Sequence, residues 1–190
     1  MKDTEIEIQV KVDNVKNLKI FLHRNGKYIG KNNQIDEYYT PIHRDFLSVR
    51  PIKEWLRLRM SDRGNSITYK NWKYGKDGKS WHCDEYETKI DNIEQLRKIF
   101  KVLNYKLITR VNKNRTTYKY KNYEVSLDRV LGLGNFVEIE NKSVKRVAIR
   151  DTVKLMITFL KKNKCGKIQR NNGGYPFMLM FPKEVIFEDL

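Results

Sequence analysis

A chain of 190 residues that is 33% charged, 39% hydrophobic and 12% aromatic is too rich in Tyr, Phe and Trp for disorder and long enough to bury one core. Its formal net charge of +16 leaves two readings open, a solvated basic surface or an anionic partner such as nucleic acid, an acidic membrane or a polyphosphate. Two distant cysteines, Cys83 and Cys165, exclude a disulfide framework and a zinc motif. No stretch reaches the ~18 apolar residues of a membrane span, and the start, with Lys2, Asp3 and Glu5, is not an apolar leader. A soluble, cytoplasmic protein with free thiols is expected.

In chain order, "EIEIQVKV" at 5–12 alternates as a strand. Asp13 or Asn14 then caps a helix with Val15, Leu18, Phe21 and Leu22 on one face, ending near Asn25-Gly26. Residues 27–53 read as a long functional loop or lid containing a short strand at 34–39. Strands follow at 54–60, 66–74 and 81–90, with "SDRGN" and "GKDGKS" as hairpin turns. A second helix starts at Asp91 with Glu94 in a capping box, and carries Ile93, Leu96, Ile99, Phe100 and Leu103. "YKLITRVNKNR", "TTYKYK", "YEVSLDRV" and "NFVEIEN" make three or four more strands, before a third helix at 150–163. The apolar tail after 165 reads as a packing or lid segment of a single domain spanning 1–190.

The opening pattern recurs along the chain. Arg57 and Arg59 alternate with Leu56 and Leu58; Lys70 is in phase with Ser66 and Thr68; Glu85, Glu87 and Lys89 share a parity. Val111, Lys113 and Arg115 share another, as do Glu124, Ser126 and Asp128, while Glu138 and Glu140 alternate with Val137 and Ile139. A half-wet sheet explains any one strand. Paired acids and paired bases on many strands suggest instead a sheet rolled so that charged faces line a lumen and helices cover the apolar exterior. Carboxylates are the hard oxygen ligands of Mg²⁺ or Mn²⁺, while Arg forks and Lys ammonium groups neutralise phosphate oxygens. The mixture points to a metal-bound triphosphate.

These residues resemble the CYTH superfamily, the triphosphate tunnel metalloenzymes, over about residues 4–165, through "EIEIQVKV", "QIDEYY", "HRDF", "WLRLR", "ITYK", "EYE", "VNKNR" and "SLDRVLGLGNFVEIE" in order. The branch resembled is that of class IV adenylyl cyclases. The resemblance implies an α+β fold, a closed or nearly closed antiparallel β-barrel of about eight strands with helices outside. It implies that Glu5, Glu7, Glu138 and Glu140 hold Mg²⁺ or Mn²⁺, and that Glu5, Glu7, Asp128 and Glu138 are catalytic. Arg57, Arg59, Lys70, Lys113 and Arg115 would grip the triphosphate, with Glu85, Glu87 and Asp128 as metal, water or ribose contacts. The motif's lysine position, two after Glu7, holds Gln9; Lys11, about 6 to 7 Å further along the same face, is one substitute, and a basic residue from another strand is the other.

The activity implied is conversion of ATP to cyclic AMP and pyrophosphate, with triphosphate hydrolysis as the alternative. A reading of another class is a basic nucleic-acid-binding module, resting on "YKNWKYGKDGK", "RTTYKYKNY" and "KKNKCGKIQR", although Trp72, Trp81 and Tyr118 read as packing residues rather than base platforms. "GKDGKS" lacks the first glycine of a phosphate loop, and His23, His43 and His82 form no cluster. Dimerisation is left open.

Overall fold

The alternation of charged and β-branched residues over Thr4–Val12 makes a strand, β1, whose faces meet different environments. The computed structural model describes residues 4–75, 80–143, 148–171 and 173–190, with the side chains of 4, 5 and 80–82 outside the description. After β1 come α1 (Lys16–Asn25), β2 (Lys27–Pro41), β3 (Glu54–Ser61), β4 (Asn65–Tyr74), β5 (Ser80–Ile90) and α2 (Ile93–Val102). Then follow β6 (Tyr105–Tyr120), β7 (Tyr123–Val130), β8 (Gly134–Asn141), α3 (Ile149–Lys162), β9 (Ile168–Arg170), α4 (Gly174–Met180) and β10 (Glu188–Asp189).

Pairing is antiparallel throughout. β1 pairs with β5 through Thr4, Glu5 and Ile6 and with β8 through residues 7–11, so the order β1-β5-β4-β3-β2-β6-β7-β8 returns to β1. This is the expected α+β barrel, with the short β1–β5 contact as its seam, and β9 and β10 extending the sheet beside Val10–Val12.

The apolar parity faces outward. Ile8, Val10 and Val12 of β1, Val125 and Leu127 of β7, and Val137 and Ile139 of β8 are buried beneath Leu18 and Leu22 of α1 and Val153, Met156 and Leu160 of α3. α2 covers Tyr39 and Leu58 with Ile93 and Phe100. It is also pinned electrostatically, because the buried Glu37 carboxylate accepts from Arg97 at 2.9 and 3.0 Å, from Arg110 at 2.9 Å and from the Tyr39 hydroxyl at 2.9 Å. Burial alone would raise the Glu37 carboxyl, and these hydrogen bonds outweigh it.

The inward parity is charged at its middle and apolar at one end. Along β3 it passes from Arg59 and Arg57 to Trp55, along β6 from Arg115 and Lys113 to Val111, along β7 from Asp128 to Val130, and along β8 from Glu138 to Phe136. Trp55, Val111, Val130 and Phe136 form one buried cluster with Tyr38, Ile52 and, from the tail, Tyr175 and Met178 of α4. The tail therefore plugs an end of the barrel.

Several elements differ from the sequence reading. β2 is one strand over Lys27–Pro41 rather than a loop with a short strand, because its inward residues Asn32, Gln34 and Asp36 are buried polar groups and hide the usual alternation. Gly30, at φ +146°, takes the bulge near the start of that strand, with the Arg63 guanidinium against it donating to Ile29 O at 2.8 Å. Only the stretch from Ile42 to Lys53 is irregular, with short 3₁₀ turns at Ile42–Arg44 and Phe46–Ser48. "YKLITRVNKNR" and "TTYKYK" are one strand, β6. The cap of α2 is Asn92, accepting from Gln95 N–H at 3.0 Å, and not Asp91. Asn14, not Asp13, accepts from the start of α1, at Lys16 N–H. The "GKDGKS" turn falls largely outside the described residues. Among the described residues no helix is long and apolar enough to cross a membrane.

Leu160 of α3 is fully buried while Leu155 of the same helix is 60% exposed. Leu160→Ala is expected to lose about 2–5 kcal/mol in urea unfolding, and Leu155→Ala to stay within about 0.5 kcal/mol of the parent.

Candidate active site

The strands that alternate outward-apolar and inward-charged enclose a cavity of about 290 Å³. It is lined by Glu7 and Gln9 from β1, Arg57 and Arg59 from β3, Lys70 and Trp72 from β4, and Glu85 and Glu87 from β5. Lys113 and Arg115 of β6, Glu138 and Glu140 of β8, and Arg170, Asn171 and Tyr175 of the tail complete it.

Two completely buried aspartates set the cations in place. Asp36 of β2 accepts a bidentate fork from Arg59, Nε to Oδ1 at 2.6 Å and Nη2 to Oδ2 at 2.8 Å, and lies 3.3 Å from Lys113 Nζ. Burial opposes its ionisation, and Lys113 and Arg59 overcome that, holding the carboxyl well below the usual range. Asp128 of β7 takes the same fork from Arg115 at 2.8 and 2.6 Å, and also accepts from the Tyr175 hydroxyl at 2.8 Å. The remaining Arg115 nitrogen, Nη1, reaches Glu138 at 2.9 Å. Burial works against the Arg115 cation, but Asp128 and Glu138 hold it charged.

On the other strands, Lys70 Nζ lies 2.7 Å from Glu85 and 3.4 Å from Glu7. Arg57 Nη2 donates to Thr68 Oγ1 at 2.8 Å and Glu87 at 3.2 Å, with Glu85 at 3.9 Å. Lys113 has the weakest hold on its proton. Burial, with Arg115 and Arg59 beside it, pushes it down to about 8 against the pull of Asp36.

The carboxylates concentrate on the β1–β8 pair. Glu7 stands opposite Glu140, a like-charge juxtaposition that is unfavourable without cations, and the neutral Gln9 stands opposite Glu138. Burial raises the Glu7 carboxyl; Lys70 opposes this, and Glu138, Glu85 and Glu140 add to it. Glu138 is held low instead, because Arg115 and Lys113 outweigh its burial. Among the described residues no three His, Cys, Asp or Glu side chains close into a ready cage for a metal. Yet the donors fit a magnesium-class ion, which takes one or two protein carboxylates and completes its shell with phosphate oxygens and water. A cation there would also relieve the repulsion that raises Glu7.

Of the expected residues, Glu7, Arg57, Arg59, Lys70, Glu85, Glu87, Lys113, Arg115, Glu138 and Glu140 line the cavity together. The Glu5 side chain lies outside the described residues; its backbone pairs with Cys83 of β5. Lys11 is not on the cavity wall: its ammonium lies 5.3 Å over the Phe187 ring, where β1 pairs with β9. Asp128 sits behind Arg115 with its oxygens taken, so its position is that of a support rather than a contact. The sequence reading missed Asp36, although its parity matches Gln34 and Tyr38, and missed Arg170, Asn171 and Tyr175, for which no alternation pattern exists.

Glu7→Gln removes a buried charge from among like charges while leaving Lys70 its Glu85 partner. Its melting temperature without divalent cation is expected to equal or exceed that of the parent, and Mn²⁺ is expected to raise it less than it raises the parent's, both by calorimetry.

Residues 3–170 match the family model of the CYTH domain. A Methanocaldococcus jannaschii protein, a candidate adenylate cyclase by name, is 39% identical over 150 residues, which are 78% of this chain and 82% of that protein. A solved protein from Pyrococcus horikoshii superposes with a TM-score of 0.75 at 25% identity, over 95% of this chain and 99% of its own. A Hippeastrum protein, described as a candidate adenylyl cyclase with a dominant triphosphatase activity, superposes with a TM-score of 0.67 at 17% identity, covering 96% of this chain and 97% of that one. The barrel with its inward charges and the match over most of the sequence agree, and the chain belongs to the CYTH domain family.

Proposed function

We propose that the chain is a metal-dependent enzyme acting on a nucleoside or organic triphosphate in the manner of a class IV adenylyl cyclase, converting ATP to cyclic AMP and pyrophosphate. The observation that carries this reading is the convergence of Arg57, Arg59, Lys70, Lys113 and Arg115 on one cavity with the carboxylates of Glu7, Glu138 and Glu140. The name of the Methanocaldococcus jannaschii relative supports it.

One or two of the carboxylates of Glu7, Glu138, Glu140 and Glu5 would hold Mg²⁺ or Mn²⁺, whose chemistry here is to neutralise phosphate charge and the charge gathering on the leaving pyrophosphate. The protein supplies the rest. Arg59 and Arg115 keep their guanidinium planes fixed by Asp36 and Asp128, so that they meet phosphate oxygens without reorganising. Lys70 and Lys113 act as point charges. Cyclisation requires the ribose 3′-hydroxyl in line with the α-phosphorus; the hydroxyl proton is released as the bond to pyrophosphate breaks. Hydrolysis would use the same cations with water at the γ-phosphorus, and the triphosphatase activity of the Hippeastrum protein favours keeping this second reading. Of the aromatic residues weighed as base platforms, Tyr118 is 2% exposed within the outer core and Trp72 belongs to the cavity wall.

Incubation with ATP and Mn²⁺ followed by product separation tests the reading. Cyclic AMP with pyrophosphate is expected; ADP with phosphate indicates hydrolysis. No turnover of ATP, other nucleotides or inorganic triphosphate, and no metal-dependent binding, contradicts it. The Lys113 ammonium, depressed to about 8, also sets a sign. Affinity for tripolyphosphate with Mg²⁺ falls as pH rises through that value, because the neutral amine no longer attracts phosphate, and Lys113→Arg flattens the fall in titration calorimetry.

A further inference from the structure

Two amides on the cavity wall have orientations fixed by their surroundings. Gln9 Nε2 donates to Glu138 Oε2 at 3.3 Å, which assigns the other atom, Oε1, as the acceptor. That oxygen is buried and has no hydrogen-bond partner among the described residues. Asn171 is its complement. Its Oδ1 accepts from the N–H groups of Gly173 at 2.9 Å and Gly174 at 2.8 Å, which fixes Nδ2 as the donor. Asn171 is 8% exposed, and its Nδ2 is likewise buried without a partner among the described residues.

The two side chains flank one residue. A methyl group on Gly174 would lie 3.8 Å from Gln9 Oε1, while Gly174 N–H is held by Asn171. Gly174 has φ +67°, a conformation glycine adopts freely, and at Gly173 an added carbon would meet the Phe177 side chain at 2.2 Å. The turn thus carries no side chains of its own where it borders the cavity. Buried donors and acceptors without partners cost free energy, and a ligand that supplies both partners recovers it.

We infer that Gln9 and Asn171 recognise the uncharged part of the substrate, a group offering one N–H or O–H to Gln9 Oε1 and one lone pair to Asn171 Nδ2. The inference rests on the triphosphate reading and deepens it by assigning the two residues that would distinguish a nucleoside triphosphate from inorganic triphosphate. Ionised phosphate oxygens present only lone pairs, so they can satisfy Asn171 but meet Gln9 Oε1 with repulsion. Two parts of a nucleoside have the required chemistry. The amino and ring-nitrogen edge of adenine offers a donor beside an acceptor, the edge that Asn and Gln amides pair with, whereas the corresponding guanine edge offers two acceptors. A ribose hydroxyl both donates and accepts.

Titration calorimetry with Mg²⁺ tests this on the intact chain, using a methylene-bridged ATP analogue, its guanosine and 3′-deoxyadenosine counterparts, and tripolyphosphate. Two variants are compared with the parent. Gln9→Met removes the acceptor at similar volume, and Asn171→Ser keeps a hydroxyl to accept from the turn while removing Nδ2. The parent is expected to bind the ATP analogue more tightly than tripolyphosphate. Each variant is expected to lose about tenfold more affinity for the ATP analogue than for tripolyphosphate, a comparison that cancels any effect on Glu138 of losing the Gln9 Nε2 bond. Parental discrimination against the guanosine analogue that the variants lose assigns the contact to the base; discrimination against the 3′-deoxy analogue that they lose assigns it to the ribose. Equal losses for the ATP analogue and tripolyphosphate, or no loss in either variant, overturn the inference while leaving the triphosphate reading intact. A parent that binds none of the four overturns both. Should one variant unfold, the other variant and the parental preference still decide.

Discussion

A carboxylate shut away from water remains ionised only where cations reach it, and Asp36 and Asp128 meet that requirement inside the barrel. Each takes a bidentate arginine fork, Arg59 for Asp36 and Arg115 for Asp128, and each has a second partner, Lys113 or the Tyr175 hydroxyl. Removing one member of such a set would leave an uncompensated buried charge. The consequence reaches the cavity wall. The arginines cannot swing away, so the positive charge facing the lumen is preorganised, and the tail is tied to the same network through Tyr175.

The rest of the architecture follows from which parity of each strand is apolar. Because Ile8, Val125, Val137 and their neighbours face outward, the barrel needs α1, α2 and α3 as cover, and the hydrophobic core lies outside the sheet. The inward parity cannot be charged along its whole length. Where Arg and Asp give way to Trp55, Val111, Val130 and Phe136, the end must be filled, and α4 does so with Tyr175 and Met178. One short helix therefore both caps the apolar end and brings Asn171 and the glycines beside it to the cavity.

The outer layer and the charged lumen were legible in the sequence because period-two alternation specifies which residues share a face, and a half-wet sheet explains one such strand but not the same pairing of acids or bases on strand after strand. That reasoning placed Glu7, Arg57, Lys70, Arg115 and Glu138 together. It failed on β2 before the short strand read at 34–39, where Asn32 faces inward and no apolar alternation marks the chain. It failed on Lys11 because face alone does not determine depth along a barrel: two residues beyond Gln9 the strand has reached β9 and Phe187. Asp36 was readable by parity, but its role depends on Arg59 and Lys113 arriving from other strands. The tail was legible only as a packing or lid segment, since Asn171 and Tyr175 sit on a turn and a short helix whose docking depends on the finished barrel.

On the proposed reading the inward face is a joint site for a divalent cation and a triphosphate, with carboxylates on β1 and β8 serving the cation and the Arg and Lys side chains of β3, β4 and β6 serving the phosphates. The most direct measurement is a crystal structure grown with Mn²⁺ and a nonhydrolysable ATP analogue, with anomalous scattering locating the ion. On this reading an anomalous peak is expected between Glu7, Glu138 or Glu140 and phosphate oxygens that also contact Arg57, Lys113 and Arg115. Phosphates bound on the outer surface, or within the cavity but with Mn²⁺ away from these carboxylates, would contradict it.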